Sequence, residues 1–246
     1  MEPRTVITEN WLTRKPSPAA LPVTLLLSSL LFAISYLFLA ANFTVNGQSL
    51  DQLIIASKHL VFDQHQYWRA WTTLFAHADA GHLMSNAFLF IPLTYILFGY
   101  FGSFVFPVAG LLIGGVVNLI VLKTMPDATS LLGISGVVYW MGATWLTFFI
   151  FIDRRKKLRY RLAIALFLSL VLFVPDKYQP QISYLSHLLG FFAGVIFGAI
   201  YYGIRRKQIL AAEKIELIYD TEETALPQEL NDQRALPKSD ELRQIN

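Results

Sequence analysis

Apolar residues run along this chain in six long blocks, at about 22–42, 82–100, 104–122, 133–152, 160–175 and 182–204, separated by polar connections. A membrane-crossing helix needs about 20 predominantly apolar residues, so each block predicts a spanning helix, the fifth being the shortest. The first block follows Arg4, Arg14 and Lys15, as the core of a secretory signal would. Its apolar run exceeds the roughly 7–15 residues of a cleaved signal, which predicts a retained helix. Residues 43–81 mix apolar, aromatic and polar positions and read as an external segment partly immersed at the interface. Beyond about 208 the chain turns polar, with nine acidic and four basic residues from Glu213 onward, and predicts a largely disordered tail.

Composition agrees with lipid as the solvent. Of 246 residues, 54% are hydrophobic and 15% charged, against about a quarter charged in soluble domains. A net charge of +3 gives no reason to expect nucleic acid as a partner. The absence of cysteine excludes a disulfide, a thiol nucleophile and a thiolate metal site. The position of the basic residues is more informative than their number. Arg154, Arg155, Lys156, Lys157, Arg159 and Arg161 follow the fourth block, and Arg205, Arg206 and Lys207 close the sixth. With positive charge on the cytoplasmic side, both termini lie inside after six crossings. The chain then divides into a cytoplasmic segment 1–21, a six-helix domain 22–205 and a polar tail 206–246. The expected fold is an all-α membrane protein.

In this topology the second, fourth and sixth spans all enter from the outer face, and each carries unusual polar residues near that end. The second has His82 and, one turn on, Asn86; the fourth has Ser135 and Tyr139; the sixth has His187. Polar groups inside a span are costly and usually mark function. Gly133 and Gly136 flank Ser135, while Gly190, Gly194 and Gly198 form a small-residue ridge just after His187. Ser and Gly also serve simply to pack helices, and "GISG" alone does not distinguish the two uses. If the ridges meet, however, Ser135 comes within reach of His187. A serine beside an imidazole becomes a nucleophile. Asn86, His82 and the Ser135 backbone N–H are then candidate donors to the oxyanion that forms.

These residues also carry a resemblance. "YWRAWTTLFAHADAGHLMSN", with Trp68, Arg69, His77, His82 and Asn86, resembles the rhomboid intramembrane serine proteases. "GISG" at 133–136, with Tyr139 four residues after the serine, and "HLLGFFAG" from His187 complete the pattern over about residues 20–205. The resemblance implies a rhomboid-like bundle of six transmembrane helices and a Ser135–His187 dyad with no acidic third member. It implies an oxyanion site using His82 and Asn86, with Tyr139 packed beneath His187. Gly133, Gly136, Gly190, Gly194 and His77 are supporting residues, His77 organising the external segment or orienting His82. Trp68 and Arg69 are expected to anchor that segment at the interface. One departure is plain: many rhomboids carry an acidic residue near the inner end of the second span, and this chain has none between Asp79 and Asp127.

The implied activity is hydrolysis of peptide bonds in or near the spans of membrane-protein substrates, which enter laterally past the short fifth span and the loop 176–181. No metal or organic cofactor is needed. The expected location is a plasma membrane, the inner membrane in a bacterium, with the site open to the outer side. A polytopic transporter is the rival from another class, but every Asp and Glu lies outside the apolar blocks. A non-catalytic rhomboid-like protein that binds membrane clients is the other alternative.

Overall fold

The computed structural model describes residues 4–40, 44–45, 47–127, 129–174 and 182–218. Strand β1 (Arg4–Glu9) leads into helix α1 (Ala20–Leu39). The connection between α1 and α4, expected above to be the external segment, then forms β2 (Thr44–Val45), β3 (Gln48–Ser49), α2 (Leu50–Ile54), β4 (Ala56–Ser57), a π-helical turn His59–Asp63, α3 (Arg69–Thr72) and a 3-10 turn Thr73–Phe75. Helix α4 (Ala80–Phe101) follows, then π-helical Phe104–Ala109 running into α5 (Gly110–Thr124), strand β5 (Ser130–Leu131) and α6 (Ser135–Ile152). Helices α7 (Leu158–Phe173) and α8 (Tyr184–Leu210) precede strand β6 (Lys214–Ile218).

Five helices among the described residues are long and apolar enough to cross a membrane: α1, α4, Phe104–Thr124, α6 and α8. The six apolar blocks therefore yield five clear candidates. The exception is α7, whose 16 residues rise only about 24 Å at 1.5 Å per residue, short of a hydrocarbon core of about 30 Å.

Nor is the chain wholly helical. Three two-stranded antiparallel sheets occur among the described residues, and the longest joins β1 to β6, pairing Arg4 with Ile218 and Ile7 with Ile215. Outside a helix the backbone N–H and C=O groups need other partners, and here the segments before α1 and after α8 supply them to each other. The tail is thus ordered through Ile218, with α8 extending past 205 to Leu210; 219–246 and the loop 176–181 lie outside the described residues.

Polar contacts gather the same end of the molecule. Asn10 Nδ2 donates to Asp153 Oδ1 at 2.9 Å, and Arg155 forks onto both Asp153 oxygens at 2.6 and 3.0 Å. Arg154 pairs with Glu213 at 3.2 Å. At the C-terminal end of α4, where an acidic residue is missing, the Tyr100 carbonyl accepts from Trp11 Nε1 at 2.9 Å and Arg14 at 2.5 Å.

Helix α6 is buried along most of its length, and α8 lies against it through glycine. A Cβ on Gly190 would overlap the Gly136 carbonyl oxygen, and one on Gly194 the Trp140 carbonyl. One on Gly198 would sit 2.9 Å from Thr147 Cβ. Such bare faces allow backbones to touch. Thr144 Oγ1 uses the proximity to donate to the Gly194 carbonyl at 3.2 Å.

Asp153 gives this end a titratable lock. Hydrogen bonds from Arg155 hold its carboxyl below the usual 3.8 despite burial. A depressed carboxyl stabilises the fold above its unfolded value, and that stability is lost as pH falls through the folded one. Asp153→Asn should lower the thermal midpoint in detergent at pH 7, by a deficit of about 1–3 kcal/mol. The gap to wild type should narrow as the pH drops below about 4. An unchanged midpoint at pH 7 would contradict the lock.

Candidate active site

Ser135 is the first residue of α6, where backbone N–H groups have no helical partner. The turn before it depends on Gly133, whose φ of +101° lies in the left-handed region that glycine adopts without a Cβ penalty. The Gly133 N–H donates to the Thr73 carbonyl at 3.1 Å, and Thr73 Oγ1 in turn donates to the Leu131 carbonyl. The external segment thereby holds the turn that presents the serine. Glycine is needed here a second time for space: a Cβ at 133 would lie 2.8 Å from His82 Cε1 and 3.7 Å from Asn86 Nδ2.

His187 lies in the first turn of α8, which Ser183 caps by accepting from the Ser186 N–H at 3.4 Å. Its ring stacks on Tyr139 with centroids 4.1 Å apart and planes 12° from parallel. The Tyr139 hydroxyl donates to the Phe173 carbonyl at 2.9 Å, so α7 steadies the platform under the imidazole. Ser135, His187, Tyr139, His82 and Asn86 all line one cavity of about 850 Å³. Among the described residues no hydrogen bond joins Ser135 to His187, and His187 Nδ1 is buried without a partner. Catalytic hydrogen bonds are often long in unliganded sites and tighten when substrate binds.

His82 lies in the first turn of α4, where Asp79 Oδ1 accepts from its backbone N–H at 2.8 Å. His77 is fully buried. Its Nε2 is 3.1 Å from Asn86 Nδ2 and its Nδ1 is 3.0 Å from Ser35 Oγ on α1. Toward His82 it offers only an edge-to-face ring contact, centroids 5.1 Å apart. His77 thus hydrogen-bonds with Ser35 and Asn86 and meets His82 through ring contact. Arg69 also differs from expectation: it is buried, donating to the Leu53 and Ile55 carbonyls at 2.9 Å each, so it ties the external segment together from within. Trp68 remains half exposed. Ser35 and Thr73 escaped the sequence reading; the one available signal was their hydroxyls in apolar surroundings, shared with several other residues. Among the described residues no three His, Cys, Asp or Glu side chains converge as a metal site.

Residues 64–204 match the model of the Rhomboid domain. The chain belongs to the rhomboid family. Comparison with curated proteins returns no match. The rhomboid match begins within the external segment and ends inside α8, so it takes in every cavity residue named above. Helix α1, with Ser35, lies before it. The domain is shared by proteases and by non-catalytic rhomboid-like proteins, so the site itself must supply the distinction.

His77, outside the spanning helices, gives the site a pH signature. Burial and the neighbouring His82 push its pKa from 6.5 down to about 4. The unfolded chain then binds the extra proton between those values, so stability rises with pH across the window and falls on acidification. The full drop is about 3 kcal/mol. The thermal midpoint should decline from pH 6.5 to 4, and His77→Gln should show a shallower decline. Equal slopes would remove His77 from that account.

Proposed function

We propose that this rhomboid is an intramembrane serine endopeptidase. The observation that carries the reading is the meeting, in one cavity, of the helix-start Ser135 with a His187 held flat on Tyr139, beside Asn86 and His82. In the proposed reaction Ser135 Oγ attacks the scissile carbonyl carbon while His187 takes its proton. The carbonyl oxygen becomes an oxyanion, received by Asn86 Nδ2, a His82 ring N–H and the Ser135 backbone N–H. The C–N bond breaks as His187 returns the proton to the leaving amine, leaving an acyl group on Ser135. Water, deprotonated by His187, then attacks the ester and releases the new carboxyl terminus. The ring stack on Tyr139 stands in for a third member by fixing the plane of the imidazole.

The pairing of β1 with β6 supports a sixth crossing. Strands that flank the helices and hydrogen-bond to each other lie on one side, which favours an even number of crossings with α7 as the sixth. The Arg154–Arg161 connection shares that end through Asp153 and Glu213, and its basic charge assigns it to the cytoplasm. The cavity then opens toward the outer side, and substrates are membrane proteins cut in or near a span. Leu172 and Phe173, at the end of α7, line the cavity and border the lateral route in.

Ser135→Ala and His187→Ala should each abolish cleavage of a model transmembrane substrate, with the double variant no worse than either, because the groups act as a unit. Asn86→Ala should slow cleavage by ~10–1000-fold. Substantial turnover by Ser135→Ala would overturn the assignment. A wild-type protein that binds substrate but neither cleaves it nor takes a fluorophosphonate on Ser135 would be a client-binding rhomboid-like protein.

A further inference from the structure

We propose that Ser35, on α1 and outside the matched domain, is a positioning residue that acts through His77 to aim the amide nitrogen of Asn86 at the reacting carbonyl. The inference rests on the protease reading of the site and adds to it an element from the first helix.

The hydrogen-bond chain has only one consistent polarity. Ser35 is fully buried, with Oγ 2.9 Å from the Phe75 carbonyl oxygen and 3.0 Å from His77 Nδ1. A carbonyl only accepts, so the single hydroxyl proton goes to Phe75. The Ser35 oxygen is left as an acceptor facing Nδ1, and Nδ1 must therefore carry the imidazole proton. Burial lowers the His77 pKa to about 4, so near pH 7 the imidazole is neutral with one N–H, and Nε2 presents a lone pair. The group 3.1 Å from that lone pair is the Asn86 amide. Only its NH₂ end can satisfy Nε2. A flipped amide would set its oxygen against the lone pair, two acceptors facing each other in a buried site.

The consequence reaches the cavity. An amide nitrogen has two hydrogens, and His77 takes one. The second remains for an incoming oxyanion, on a nitrogen that already faces the Gly133 turn ahead of Ser135. With the opposite tautomer of His77, Asn86 would turn its oxygen to the Nε2–H and swing its nitrogen out of this position. Ser35 thus selects which end of Asn86 the site presents, without touching substrate.

The test measures kcat and KM on a transmembrane substrate, together with the state of the His77 ring. Ser35→Ala should lower kcat about tenfold, a part of what a lost oxyanion donor costs, with KM little changed. Ser35→Thr, which keeps the hydroxyl, should restore most of the rate. In an Asn86→Ala background Ser35→Ala should cost nothing more, because its target is gone. An equal loss in both backgrounds, or no loss from Ser35→Ala, would overturn the proposal. Nitrogen-15 spectra of the Ser135→Ala protein give a readout free of activity: Nδ1 of His77 should be protonated and Nε2 bare. The reverse tautomer would overturn the proposal even in a fully active enzyme. Turnover by Ser135→Ala would instead sink the protease reading and leave the tautomer result standing.

Discussion

Between α6 and α8 glycines of α8 lie directly on main-chain carbonyls of α6. Gly190 lies on the Gly136 carbonyl, Gly194 on the Trp140 carbonyl and Gly198 against Thr147. In lipid no hydrophobic drive brings helices together, so close van der Waals approach has to do it. The register of this contact sets the height of everything above it. Gly136 directly follows Ser135, and Gly190 lies one turn after His187. The serine and the imidazole therefore inherit their relative position from a contact made of main chain, which has no rotamers to absorb an error. Tyr139, one turn below Ser135 on the same helix, then meets His187 as a stacked ring.

The opposite wall of the cavity is built from elsewhere. Thr73 holds the Gly133 turn, His77 engages Asn86, and Ser35 engages His77. This second network is polar and buried, where each unsatisfied group would be costly. The two halves meet at Gly133, whose missing side chain leaves room for His82 and Asn86. A packing contact positions Ser135 and His187, and a hydrogen-bonded chain positions Asn86.

Much of this was legible in the sequence because lipid penalises polar residues so heavily. His82, Asn86, Ser135 and His187 stand out of apolar blocks at similar depth, and all four line one cavity. The glycine spacing was equally visible, and its contact with α6 is in the structure. Ser35 was not legible, since a lone hydroxyl in a span resembles Thr24, which donates to Ala20 within α1, or Ser28, whose hydroxyl has no hydrogen-bond partner among the described residues. The partner of His77 was hidden for a related reason: nine residues separate it from Asn86 across an irregular turn, where no periodicity applies. The β1–β6 pairing joins segments more than 200 residues apart and carries no local signal. Six crossings were expected and five helices among the described residues are long and apolar enough, because apolarity marks a block without fixing where its helix ends, and α7 stops at Phe173.

The central claim is that main-chain contact between α6 and α8 aligns Ser135 with His187. The rate at which a fluorophosphonate labels Ser135 in folded Gly190→Ala and Gly190→Val protein tests it most directly. The rate should fall in step with side-chain volume, reaching on the order of 100-fold for valine, the loss that a displacement of about 1 Å can produce. Wild-type labelling by folded Gly190→Val would show that this contact does not align the pair.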